Sequence, residues 1–410
     1  MTMGSSTAIM TKLSSKNIVS PKGFKAAGMH CGLKHKKKDL ALLVSDVPAS
    51  VAGVFTTNAI QAAPLSVTKK VVYETKKMQA MIVNSGNANA CTGKQGLVDA
   101  LEMQTLTAQK LNIAENLVGV CSTGVIGETM KMKPIQQGVA ALVVDDCLEN
   151  AIDFAQAILT TDTVMKNTSY TTIIDGKEVI IAGVAKGSGM IEPNMATMLG
   201  FITTDANIDS PMLQMALSQI TDCTFNAITV DGDTSTNDTV IIMANGLAQN
   251  KPLTPEHPEW HKFYTTLQMV AEDLAKMIAK DGEGATKLIE VNVTGAKTDE
   301  EARKIAKTVV GSPLVKTAVF GADANWGRVI AAVGYSGAVV DPEKIGIKIG
   351  DKMLVESGEP VHFSEEELMQ ILKQQEVKID VALHIGDGKG TAWGCDLTYD
   401  YVQINASYRS

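Results

Sequence analysis

The stretch "KGSGMIEPNMATMLGFITTDA" (residues 186–206) lies near the middle of the 410-residue chain and divides into two unlike halves. Lys186 to Asn194 is dense in turn formers, with Gly187, Ser188, Gly189, Pro193 and Asn194. These residues favour a backbone that bends away from regular structure. Met198 to Ile202 is an apolar run, the pattern of a strand buried on both faces. Thr197, a β-branched residue carrying a hydroxyl, stands where the loop becomes the strand.

Working outward, "YTTIIDGKEVIIAGVAKG" (170–187) has two β-branched runs around Asp175-Gly176. That is the signature of a hairpin with a type I′ turn. Upstream, short strands are expected at 39–46, 51–55, 79–86 and 116–128, and helices over 97–112 and 147–163. Downstream, the pattern predicts a strand at 198–206, a helix over 210–224, and strand, polar loop and strand across 226–246. A long helix over 259–282 follows, with Gly282 as a candidate cap. "KLIEVNVTG" reads as a strand, "DEEARKIAKTVV" as a helix, "LVKTAVFG" as a strand and "NWGRVIAAVGYSG" as a helix; the tail from Lys378 reads as β-rich. Interleaved strands and helices predict an α/β protein, of α+β layers with mixed sheets packed against helices.

The bulk composition narrows the function. With 45% hydrophobic and 20% charged residues, the chain is expected to be globular rather than disordered. Its net charge of −8 argues against sequence-independent nucleic-acid binding, which needs a basic face. "KHKKKD" (34–39) is the one basic cluster and is expected to be a solvated loop. Cys31, Cys91, Cys121, Cys147, Cys223 and Cys395 show no CxxC spacing, so they read as reduced thiols in a reducing, cytoplasmic setting. His257 and His261 are four apart, but the intervening Pro258 argues against a shared helical face, and no metal site is expected. No apolar stretch approaches membrane-spanning length. The first 38 residues lack acids and Arg and carry no apolar core, a poor match to a signal peptide.

Glycine-rich "GDGKGT" (386–391) and "GNANACTGKQG" (86–96) lack phosphate-loop spacing and are expected to be turns. "VDGDTSTND" (230–238) lacks the glycine and terminal glutamate of a calcium loop, and is expected to be a hydroxyl-rich loop near a polar site. Neither a G-x-S-x-G elbow nor a Cys-His signature is present. One nucleophile needs no separate base: a threonine made N-terminal by cleavage of the bond before it. Its α-amino group titrates near about 7.7–8.0, so a useful fraction is neutral at cellular pH within reach of its own Oγ.

The 186–206 stretch resembles the self-cleavage segment of the ornithine acetyltransferase (glutamate N-acetyltransferase) family of arginine biosynthesis. "GFKAAGMHCGLK", "DLALLVSD", "GVFTTNAIQAAP", "VNSGNANACTG", "STGVIGE", "LTTDT", "TVDGDTSTNDT", "GADANWGRV" and "YVQINASYRS" are similar to that family too, and in order. The resemblance spans about residue 20 to the end. It implies the fold of that family, of the self-processing, N-terminal-nucleophile type. It also implies cleavage between Ala196 and Thr197 into an α chain (1–196) and a β chain (197–410), paired into a heterotetramer. Thr197 would be the nucleophile, and Thr123 and Gly124 the oxyanion hole. Thr160, Lys186, Thr197, Glu283, Asn405 and Ser410 would bind substrate, with Thr161 and Thr163 as alternatives to Thr160. The implied reaction is acetyl transfer from N-acetylornithine to glutamate by a ping-pong route, without metal or bound cofactor, and with acetyl-CoA as a candidate second donor. A self-cleaving aminopeptidase or amidohydrolase with the same nucleophile is the alternative.

Overall fold

The computed structural model describes residues 10–14, 17–192 and 198–407. Among them, two mixed sheets of nine and seven strands form the framework. The first runs Thr11–Lys12, Lys166–Ile174, Lys177–Lys186, Leu199–Thr204, Thr239–Ala244, Leu40–Phe55, Lys77–Asn87 and Val118–Val125, with Phe24–Met29 also pairing with Leu40–Phe55. The second runs Glu359–Pro360, Lys352–Glu356, Gly346–Ile349, Glu376–Ala382, Leu288–Ala296, Gly388–Cys395 and Ile228–Thr229.

The expected hairpin forms across Asp175-Gly176, and both turn residues have positive φ, 49° and 70°, as a type I′ turn requires. All six residues of Leu199–Thr204 are buried. This strand lies antiparallel to Lys177–Lys186 and parallel to Thr239–Ala244, so it occupies the middle of the sheet.

Helices Ser210–Cys223 and Trp260–Lys280 fill the space between the sheets. In the longer helix Phe263, Leu267, Val270, Leu274 and Ile278 recur at three- and four-residue spacing and are wholly buried. They share one core with Ile181 and Ile202 of the first sheet and with Leu288 and Trp393 of the second. Each such side chain contributes roughly 1.5–3 kcal/mol on burial, so this helix fixes the sheets against each other. Asp209 caps the shorter helix, its Oδ1 accepting the Met212 N–H at 3.0 Å. Among the described residues no helix is long and apolar enough to cross a membrane.

Several elements differ from expectation. The strands expected at 39–46 and 51–55 are one strand, Leu40–Phe55, whose pairing with Lys77–Asn87 shifts register between Val44 and Ala49. Polar Asp46 and Pro48 interrupt the apolar pattern there while the chain stays extended. "LVKTAVFG" is a helix, Pro313–Phe320, started by Ser312, whose Oγ accepts the Val315 N–H at 3.4 Å, with proline in the first turn. A short apolar run cannot by period alone separate strand from helix. The helix expected over 147–163 ends at Ala157. Gly282 is not a left-handed cap; it makes room for Cys395, whose Sγ would lie 2.6 Å from an added Cβ. The β-rich tail closes instead on a helix, Tyr399–Ser407.

Candidate active site

Strand Val118–Val125 ends beside the turn at Gly86-Asn87. Gly124 has φ of 132°, and a Cβ there would overlap the backbone of Gly86 and Asn87, so both conformation and space require glycine. Thr123 and Gly124 thereby open onto a pocket of about 330 Å³. Thr160, Thr161, Lys186, Glu283 and Asn405 line the same pocket. Of the residues singled out in the sequence, these come together across more than 280 positions of chain, from 123 to 405. Thr163 is not part of the lining; its backbone N–H and hydroxyl turn to Asp281. Ala196, Thr197 and Ser410 lie outside the described residues.

Lys186 ends its strand at 5% exposure. Burial holds its ammonium below the ordinary lysine value, an effect that Asp162 and Asp238 oppose. Glu283 is 8% exposed, and its Oε2 accepts from the Asn405 amide at 2.9 Å. Gly189 leaves the space that the Glu283 carboxyl fills, since an added Cβ would overlap it.

The hydroxyl-rich loop 230–238 forms one wall of the pocket, as its composition suggested. It also holds the chain before residues 193–197, and Thr239, which starts the next strand, holds the chain after them. Asp231 accepts the Met190 N–H at 2.7 Å and the Ile191 N–H at 2.8 Å, while Val230 N–H donates to Ile191 O at 2.7 Å. Thr234 Oγ1 donates to Glu192 O at 3.1 Å, and beyond the junction Thr239 N–H donates to Met198 O at 3.1 Å. Asn237 ties this loop to Ala88 and to strand Val118–Val125, its amide donating to Ala88 O at 2.6 Å and Ser122 O at 2.8 Å.

Charge in this region is handled in two ways. Asp238 is 2% exposed, and its Oδ2 has no hydrogen-bond partner among the described residues. Burial pushes that carboxyl well above the usual range despite the attraction of Lys186. Burial acts in the same direction on Asp162, but the ammonium groups of Lys166 and Lys186 outweigh it, and that carboxylate stays ionised. The basic cluster at 34–39 is only partly the solvated loop expected. Lys36 and Lys37 are exposed, but Lys34 turns inward and donates to the carbonyl oxygens of Leu159 and Lys38. Burial lowers its pKa to about 8.

Sequence reasoning passed over Asp162, Lys166 and Asn237, and weighed Asp231 and Asp238 only as part of a calcium-like loop. Asp231 and Asp238 sat in a loop already marked as polar, whereas Asp162 and Lys166 carried no local signal of burial. Among the described residues, no group of three or more His, Cys, Asp or Glu could hold a metal ion.

A buried cation and a buried acid in one small polar pocket define a protein that handles small, charged molecules. The sequence profile of the ArgJ family matches residues 25–410, and the chain belongs to that family. It is 59% identical over 410 residues to the arginine biosynthesis bifunctional protein ArgJ of Geobacillus kaustophilus, with 100% of both chains covered. It is 60% identical over 405 residues to the protein of that name in Halalkalibacterium halodurans, with 98% of each covered. The crystal structure of arginine biosynthesis bifunctional protein argJ from Bacillus halodurans matches at 65% identity and a TM-score of 0.51, covering 52% of this chain and 100% of that one.

Proposed function

We propose that the chain transfers acetyl from N-acetyl-L-ornithine to L-glutamate through an acetyl-Thr197 ester, after cutting itself between Ala196 and Thr197. The observation that carries this reading is the pocket that gathers Thr123, Gly124, Lys186, Glu283 and Asn405 beside Gly189 and Met190. Full-length identity near 60% to bifunctional arginine-biosynthesis proteins supports it. The Bacillus halodurans chain, matched over its whole length yet covering only 52% of this one, is what one half of a divided precursor would give.

In the first stage Thr197 Oγ attacks the Ala196 carbonyl. The peptide C–N bond breaks, an ester forms and the Thr197 amine is freed; water then hydrolyses the ester. The hydrogen bonds that hold residues 190–192 and Met198 support this stage, because they restrict the chain ends that flank the scissile bond. In the second stage the free amine takes the Oγ proton as Oγ attacks the acetyl carbonyl. Thr123 Oγ1–H and the Gly124 N–H face the developing oxyanion. The C–N bond of the donor breaks, the proton passes to the departing ornithine amine, and acetyl-Thr197 remains. The glutamate amine attacks that ester, N-acetylglutamate leaves, and Oγ is regenerated.

Lys186 pairs with the substrate α-carboxylate and Glu283 with the ornithine ammonium, with Thr160 and Ser410 completing the site. Glutamate brings a carboxylate where ornithine brings an ammonium. Asn405, whose amide already faces Glu283, supplies the donor that this carboxylate needs. Acetyl-CoA serves as a second donor to the same threonine, as a co-substrate, with no bound cofactor or metal in the reaction. The α chain (1–196) and β chain (197–410) pair into a heterotetramer of two each.

Denaturing electrophoresis and an acetyl-transfer assay test the reading together. The expected result is two bands, the second beginning Thr-Met-Leu-Gly, and N-acetylglutamate formed from either donor. A single intact band, or release of acetate in place of N-acetylglutamate, overturns it.

A further inference from the structure

We infer that the buried triad Asp162–Lys166–Asp281 is a positioning device that sets Thr160, Lys186 and Glu283 at their working separation in the pocket. Its kinetic readout rests on the acetyl-transfer reading above; its structural readout does not. Lys166 is wholly buried, and its ammonium bridges Asp162 Oδ1 and Asp281 Oδ2, each at 2.6 Å. None of the three lines the pocket, and no step of the proposed mechanism uses them.

What they hold is specific. Asp162 Oδ2 accepts the Thr160 N–H at 3.0 Å, and its Oδ1 accepts the Gly187 N–H at 2.7 Å. One carboxylate therefore fixes the backbone at Thr160 and immediately after Lys186. Asp281 accepts the Thr163 N–H at 3.1 Å. Its own carbonyl accepts Ser188 Oγ–H at 2.7 Å, and the Glu283 N–H donates to Ser188 O at 2.9 Å. Three segments far apart in sequence, 160–166, 186–188 and 281–283, are thus clamped to one ammonium. Two belong to the part before the Ala196-Thr197 bond and one to the part after it.

Stability alone is a poor reason for this arrangement. Removing three charges from water costs more than packing apolar groups of the same volume, and a buried ion pair often gains nothing over its hydrophobic replacement. A bridged ammonium does supply placement: its two 2.6 Å contacts draw both carboxylates to one point, whereas apolar side chains would let the three segments slide.

The test compares the wild type with Asp281→Asn and with the apolar double variant Lys166→Met/Asp281→Leu. Thermal midpoint, chain cleavage, hydrogen exchange and steady-state kinetics are measured on the full chain. The double variant removes the ammonium and one of its two carboxylates and leaves Asp162 with Lys186 as its neighbouring cation, so its thermal midpoint is read beside the kinetics to separate stability from placement. In both variants KM for N-acetylornithine and for glutamate should rise about tenfold or more, with kcat within about threefold. Amide exchange should quicken at Thr160, Gly187 and Glu283 while helix Trp260–Lys280 stays protected up to Lys280. Wild-type KM in a stably folded double variant, with those amides still protected, overturns the inference. A wild type that exchanges as expected but transfers no acetyl sinks the proposed reaction instead and leaves the exchange result to decide the triad.

Discussion

The two sheets are built from different parts of the chain. In the nine-stranded sheet, Leu199–Thr204 and Thr239–Ala244 follow the Ala196-Thr197 bond, and they are inserted between strands that precede it. Every strand of the seven-stranded sheet follows that bond. A cut at 196–197 would leave the second sheet in one piece, while the first would become a shared structure held by ladder hydrogen bonds and a common core. The pocket is lined by Thr123, Gly124 and Lys186 of the first sheet. No strand of the second sheet lines the pocket.

The strongest challenge to that contrast is Thr197→Ala. It should leave one uncut band and lower acetyl transfer by about 10⁴-fold or more, as loss of a nucleophile does. Two bands from this variant would mean that the shared sheet is divided by some other route. Next comes Leu354→Ala, in the second sheet's own core at 0% exposure. It should cost about 2–5 kcal/mol in denaturant unfolding, with KM unchanged while the protein remains folded. A raised KM would show that the second sheet is not independent of the pocket.

A smaller effect separates the two buried aspartates of the shared sheet. The Asp162 carboxyl is held below its ordinary value, so its stabilisation is complete above the usual carboxylate range, about 4, and is lost as pH falls through and below it. The Asp238 carboxyl is held above that value, so its proton stabilises the fold at low pH and the contribution declines as pH rises from about 4 toward the raised value. Asp162→Asn should therefore flatten the acid limb of stability, and Asp238→Asn the limb above it. At pH 7 the second variant should be the less destabilised, as thermal midpoints across pH would show. The smallest effect belongs to the surface of the second sheet. Removing the Lys352–Glu367 pair, 2.6 Å apart and exposed, should cost less than about 1 kcal/mol and leave kinetics untouched.

Local signals carried much of the fold. The hairpin at Asp175-Gly176 and the helices over 210–224 and 259–282 were legible, because each rests on signals that act over a few residues. Pro313–Phe320 was missed because its apolar run fits either period, although Ser312 and Pro313 held a start signal. Tyr399–Ser407 was missed because it buries no side chain and so shows no apolar stripe. The pocket was legible through resemblance at Thr123, Gly124, Lys186, Glu283 and Asn405. Lys166 was not, because nothing nearby announces a lysine with zero exposure; its second partner lies 115 residues away.

By itself the sequence determined where the chain turns, which faces are apolar, and that the loop-to-strand boundary at Thr197 has the residues of a self-cleaving family. Those properties depend on neighbours within one or two turns. Only the tertiary structure decided that Leu199–Thr204 lies inside a sheet begun by earlier strands. The same holds for loop 230–238 and Thr239 holding the chain before and after residues 193–197, and for one buried ammonium tying together three parts of the pocket. Such facts depend on contacts between residues far apart in the chain, which form only when the whole core closes and leave no periodic trace along it.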